Sequence, residues 1–124
     1  MSKQITSDKV AAAPTIFSQA VEHNGFVFVS GQVPIRLDGS IVEGGVREKF
    51  EQIVQNIQYI LEAAGTTVAN CVSVTIYLTD MGQLPELNEI YAQFFGDPLP
   101  ARAAIGVQAL PLGATIELSV VAAK

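Results

Sequence analysis

Val46 to Leu78 reads VREKFEQIVQNIQYILEAAGTTVANCVSVTIYL, and this stretch decides the fold. Its apolar residues Val46, Phe50, Ile53, Val54, Ile57, Ile60, Leu61 and Ala64 recur at steps of three and four. That spacing lines them along one stripe of an amphipathic α-helix. Gly65 follows as the residue best suited to a left-handed helix C-cap. From Cys71 the period changes to two: Val72, Val74, Ile76 and Leu78 alternate with Cys71, Ser73, Thr75 and Tyr77. The β-branched content of that run fits a strand. With a strand expected before the helix, the unit is a crossover whose two strands run parallel.

Outward from this unit, Ile16 to Val21 and Phe26 to Ser30 flank Glu22-His23-Asn24-Gly25. An Asn-Gly pair between alternating apolar residues predicts a hairpin. Met1 to Pro14 is polar and then alanine-rich, a short strand or an arm laid over the surface. Gly31-Gln32-Val33-Pro34 ends the second hairpin strand, and Leu37-Asp38-Gly39-Ser40 predicts another turn before Gly44-Gly45. Towards the C-terminus a second helix is expected from Pro85 to Phe95, with Leu84, Leu87, Tyr91, Phe94 and Phe95 on its apolar side. Pro85 is tolerated in its first turn, and Gly96-Asp97-Pro98 stops it. Two further strands, Arg102 to Ala109 and Thr115 to Ala122, lie on either side of Leu110-Pro111-Leu112-Gly113. The expectation is one α+β domain over residues 1–124, a sheet with two helices on one face.

At 124 residues, 49% of them hydrophobic and 15% charged, the chain is long enough for a real core. A mean hydropathy of +0.36 is high for so small a chain and predicts that part of its surface is covered by other subunits. The formal charge is −5, and the Lys and Arg are scattered, which argues against nucleic acid as a partner. No apolar run reaches the ~20 residues needed to span a bilayer, and the N-terminus lacks the order of a signal peptide. Cys71 is the single cysteine and forms no internal disulfide, which fits a reducing compartment such as the cytosol, with the mitochondrion also open.

His23 and Cys71 are the only residues of their kinds, one in a turn and one opening a strand, which disfavours a Cys/His nucleophilic pair. No cluster of metal ligands, Walker loop or strand-linked GxGxxG is present, so neither metal nor nucleotide cofactor is implied. What remains is centred on Pro100 to Val121, where Arg102 and Glu117 stand among small and β-branched residues. Desolvating a charge is costly, so the two are either ion-pair partners or ligand-facing groups. Arg102 offers a planar fork for a carboxylate. Glu117 shares a strand face with Thr115 and Ser119, opposite Ile116, Leu118 and Val120, and in a partly desolvated cleft it can serve as general acid or base. Ser30-Gly31 at a strand end and Asn88 on the second helix are weaker candidates. In a simple hairpin about Pro111-Leu112, Arg102 and Glu117 would be four residues out of register, ~13 Å. Another strand order or a neighbouring chain would then be needed to bring them together.

Pro100-Ala101-Arg102, Leu110-Pro111 and Ile116-Glu117-Leu118 resemble the pattern of the RidA family, also called YjgF/YER057c/UK114. The likeness extends through Phe17-Ser18-Gln19-Ala20, Phe28 to Pro34, Asn56-Ile57, Leu61 to Gly65 and Asn88 to Phe95. It implies a chorismate-mutase-like α+β fold with a six-stranded mixed sheet and two helices on one face. It also implies a homotrimer with clefts between subunits, no cofactor, and hydrolysis of reactive enamines and imines to 2-oxo acids and ammonia. Some relatives are described instead as endoribonucleases or as chaperone-like or regulatory binders of small carboxylates. The resemblance puts carboxylate binding on Arg102, water positioning on Glu117, and substrate contacts on Ser30, Gly31 and Asn88. Two positions depart: Thr15-Ile16-Phe17 replaces a Gly-Pro-Tyr, and Ala104 replaces a cysteine. Phe17 keeps the aromatic wall without the phenol hydroxyl, and Ala104 retains its backbone carbonyl.

Overall fold

The computed structural model describes every residue, Met1–Lys124. Eight elements are used below: β1 (Lys3–Ile5), β2 (Ala20–His23), β3 (Phe26–Gln32), α1 (Val46–Ala64), β4 (Cys71–Leu78), α2 (Leu84–Tyr91), β5 (Ala101–Gly106) and β6 (Ile116–Ala123). The periodic stripe of α1 is buried in full, together with Asn56. Gly65 closes the helix at φ 86°, in the left-handed region that glycine enters without steric cost. Buried Asn56 is satisfied on both sides: its amide donates to the Ile35 carbonyl at 2.9 Å and its oxygen accepts from Gln52 at 2.9 Å.

The six strands form one mixed sheet in the order β1-β2-β3-β6-β4-β5. Asn24 and Gly25 both have positive φ, and they turn β2 into β3 as the Asn-Gly pair predicts. β4 and β5 are parallel, and all other neighbours are antiparallel. The strands on either side of Pro111 therefore do not form a hairpin. α2 is a second crossover that delivers β5 parallel to the outer edge of β4, while β6 returns between β3 and β4. The physical reason is burial, because Ile116, Leu118, Val120 and Ala122 are at most 2% exposed and β6 takes the most enclosed place in the sheet. β5, mostly exposed, is left at the edge.

Several boundaries also differ from the pattern: β5 stops at Gly106, short of Ala109, and β3 runs on to Gln32. β2 starts at Ala20, because Ile16 and Phe17 donate to the Ala13 carbonyl at 2.9 and 3.1 Å in a turn. α2 ends at Tyr91, after which Phe94 and Phe95 fold back to meet Phe50 and Tyr91 at centroid distances of 5.2 and 4.7 Å. Both helices pack on one face of the sheet. The core between them holds Phe50, Ile53, Ile57, Ile60 and Leu61 of α1 and Leu87 of α2 against Val74, Ile76 and Leu78 of β4. Cys71 lies in this core, where burial pushes its thiol up to about 12 and leaves it inert. The opposite sheet face has no helix over it and presents Phe26, Phe28 and Ile105, each more than 40% exposed.

Candidate active site

Strand alternation sorts the candidate residues into two groups. On β5, Arg102 lies opposite Val74 and Ala104 opposite Ile76, and both of those β4 residues point into the core. Arg102 and Ala104 therefore project to the helix-covered side. There Arg102 donates to the Asn88 side-chain oxygen at 2.8 Å and lies over the Tyr91 ring, 4.8 Å from its centroid. Asn88 and Tyr91 are three apart on α2, so one helical face supplies both supports. The guanidinium is held flat by a cation–π contact and one hydrogen bond, with further N–H donors left over. Burial raises the Tyr91 phenol, and the Arg102 charge opposes that shift. Tyr91 reads in sequence as a core aromatic, and only its spacing from Asn88 hints at this platform.

The second group lies on the open face. Glu117 of β6 sits between buried neighbours Ile116 and Leu118 and points the other way. It stands opposite Tyr77 of β4, and Tyr77 is in turn opposite Ile105 of β5. A Cβ added to Gly31 would lie 2.5 Å from a Glu117 carboxylate oxygen, so the carboxylate rests directly on the Gly31 backbone. A side chain at position 31 would displace the Glu117 carboxylate from this seat. Burial raises the Glu117 carboxyl above its ordinary value of 4.5, and no cation of the same chain offsets it. Phe17, Gly31 and Glu117 line one pocket of about 410 Å³, walled also by Ala11 to Ala13, Ile16 and Leu112. The Ser30 hydroxyl donates to the Ser18 carbonyl at 2.7 Å and so ties β3 to the segment that carries Phe17.

One residue that the pattern left unremarked organises this pocket. Gln19, 4% exposed, accepts from the Ser7 N–H at 2.7 Å. Its amide donates to the carbonyls of Ser7, Val10 and Ala11 at 3.2, 3.1 and 3.4 Å. The N-terminal arm is thereby clamped beside the sheet, and it forms one wall of the pocket.

Arg102 and Glu117 do not pair within the chain. They are two strands apart, about 10 Å, three residues out of register, another ~10 Å, and on opposite faces of the sheet. The ion pairs present are Arg47 with Glu51 and Lys124 with Glu22. One chain thus holds a carboxylate fork without a base, and a base in an apolar pocket without a fork.

A family profile described as Endoribonuclease L-PSP matches residues 7–124. A RutC family protein of Aquifex aeolicus is 46% identical over 125 residues, which is 98% of this chain and 99% of that protein. A Mus musculus protein named 2-iminobutanoate/2-iminopropanoate deaminase is 41% identical over 123 residues, covering 98% of this chain and 91% of its own. The crystal structure of yeast Mmf1 superposes with a TM-score of 0.95 at 36% identity, over 100% of this chain and 99% of that one.

Proposed function

The chain belongs to the RidA family (YjgF/YER057c/UK114), and from that premise we propose that it hydrolyses the imines of small 2-oxo acids. The observation that carries this reading is the division of the site. Arg102 with Asn88 on the helix-covered face, and Glu117 with Gly31 and Phe17 on the open face, are complementary halves that one chain does not join. The uncovered apolar face of Phe26, Phe28 and Ile105 supports a contact between copies. In a ring of three, the number that the resemblance implies, the fork of one subunit would meet the base of the next.

In such a cleft the substrate carboxylate takes paired hydrogen bonds from Arg102, which fixes the imine carbon relative to Glu117. Ionised Glu117 accepts a proton from a water molecule as that water adds to the imine carbon, giving a tetrahedral carbinolamine. That proton passes to nitrogen, and a second, from the carbinolamine hydroxyl, follows it through Glu117 as the C=O bond forms and the C–N bond breaks, so that 2-oxo acid and ammonia leave. Edge strand β5 keeps half of its backbone carbonyls free of the ladder, so Ala104 can help hold the water whatever its side chain. The overall charge of −5 argues against an RNA substrate.

Generating 2-iminopropanoate or 2-iminobutanoate in place with an amino-acid oxidase tests the chemistry. Added protein should speed release of the 2-oxo acid, and light scattering at micromolar concentration should give three times the chain mass. Binding of the 2-oxo acid without acceleration would make the protein a carboxylate binder. A monomer would remove the shared cleft.

A further inference from the structure

The turn between β5 and β6 holds a non-glycine residue in an expensive conformation. Leu112 has φ 60° and ψ 22°, the left-handed region in which a bulky side chain crowds the following carbonyl. Nothing in the chain compensates, because the Leu112 side chain is not buried but 65% exposed. Backbone strain kept at an exposed position points to a use for the side chain it displays. Leu112 displays its side chain on the wall of the pocket that contains Glu117, together with Ile16 at 79% and Phe17 at 47% exposure.

In the proposed cleft a substrate lies in one way. Its carboxylate goes to the fork of the neighbouring subunit, its imine carbon to the water on Glu117, and its third substituent along this wall. At about 410 Å³ on one chain the pocket falls in the ~300–1,000 Å³ range of small-molecule sites. The wall is apolar, with Ile16, Phe17, Leu112 and Val33 and no charged group other than Glu117. Resting on the proposed imine hydrolysis, we infer that Leu112, with Ile16, determines specificity for imines that carry a bulky apolar side chain, of which the imine of leucine is the type.

The experiment compares imines generated from leucine and from alanine. The parent chain should show at least a tenfold higher kcat/KM for the leucine imine, since each buried methylene contributes roughly fourfold. Leu112→Ala should lower that ratio about fivefold or more. Leu112→Gly, which relieves the backbone, should lower it as far while melting at or above the parental temperature, so a folding defect is separated from lost specificity. Leu37→Ala, at an exposed residue that is not part of the pocket wall, should leave the ratio alone. A flat ratio in the parent, or an unchanged ratio in both Leu112 variants, overturns the inference. Calorimetry with 4-methyl-2-oxopentanoate and pyruvate separates it from the catalytic reading. If no imine is turned over, yet the branched acid binds at least fivefold tighter and Leu112→Ala abolishes the difference, specificity stands and catalysis falls. Equal binding of the two acids in that case overturns the inference too.

Discussion

The Arg102 half of the site and the Glu117 half are built by opposite means. Arg102 stands on an exposed edge strand and is held by partners, a ring beneath it and an amide beside it. Glu117 stands on a central strand and is held by exclusion, pressed against a glycine with no room for a side chain and bonded to no donor of its own chain. The cation is held and aimed, while the carboxylate is kept partly desolvated and more basic. Each half has the property that its proposed role in hydrolysis demands. Neither has the other's charge within reach in one chain, so the proposed mechanism needs a second copy of it.

The largest effect that would break this contrast comes from separating the halves genetically. Arg102→Ala should cut imine hydrolysis on the order of a hundredfold, about 3 kcal/mol, with the assembly mass and melting temperature nearly unchanged. Glu117→Gln should be equally inactive. If each cleft takes one half from each of two subunits, co-refolding the two variants at equal amounts restores a parental cleft in about a quarter of the sites. Recovery of about a quarter of the parental rate is therefore expected. No recovery would place both groups in one subunit's cleft, against the geometry described, or sink the mechanism.

The pH profile sharpens the same contrast. Glu117 acts as a base only when ionised, and burial raises its carboxyl above 4.5. kcat/KM should therefore fall on acidification, along a limb that burial pushes up and a neighbouring Arg102 pulls down. Removing the neighbouring cation disfavours the carboxylate, so the acid limb should move to higher pH in Arg102→Ala. A limb that stays in place would mean the two charges do not share a cleft.

The smallest effect concerns the pocket wall. Phe17→Tyr restores a hydroxyl beside Glu117 and should raise the rate several-fold, since one well-placed hydrogen bond contributes roughly 0.5 to 1.5 kcal/mol. An unchanged or lower rate would show that the turn following Ala13 does not aim the ring for polar contact.

Much was determined by sequence alone. The stripe from Val46 to Ala64 set helix α1 with both its ends, the alternation in Cys71 to Leu78 set β4, and Asn24-Gly25 set the hairpin, since each is a local periodicity or a local backbone preference. The same alternation put Glu117 on the face away from the core, with Ile116 and Leu118 turned inward. Composition disfavoured a Cys/His pair, since each residue occurs once, but the alternation set Cys71 on the face opposite Val72 and Val74, and it took a register shift between Cys71 and Ser73 to bury the cysteine and leave Val72 exposed. What only tertiary structure decided was adjacency. Alternation tells a strand which face is buried but carries no information about which strand lies beside it, so the antiparallel pairing of β5 with β6 that chain order suggests gave way to a parallel pairing of β5 with β4. From that one choice follow the opposite faces of Arg102 and Glu117 and the platform of Tyr91 under the guanidinium, while the clamp of Gln19 on the arm, towards the other edge of the sheet, is a separate tertiary contact. Each is a contact between residues whose separation in the chain is closed only when hydrophobic burial brings α2 onto the sheet and the arm against its edge.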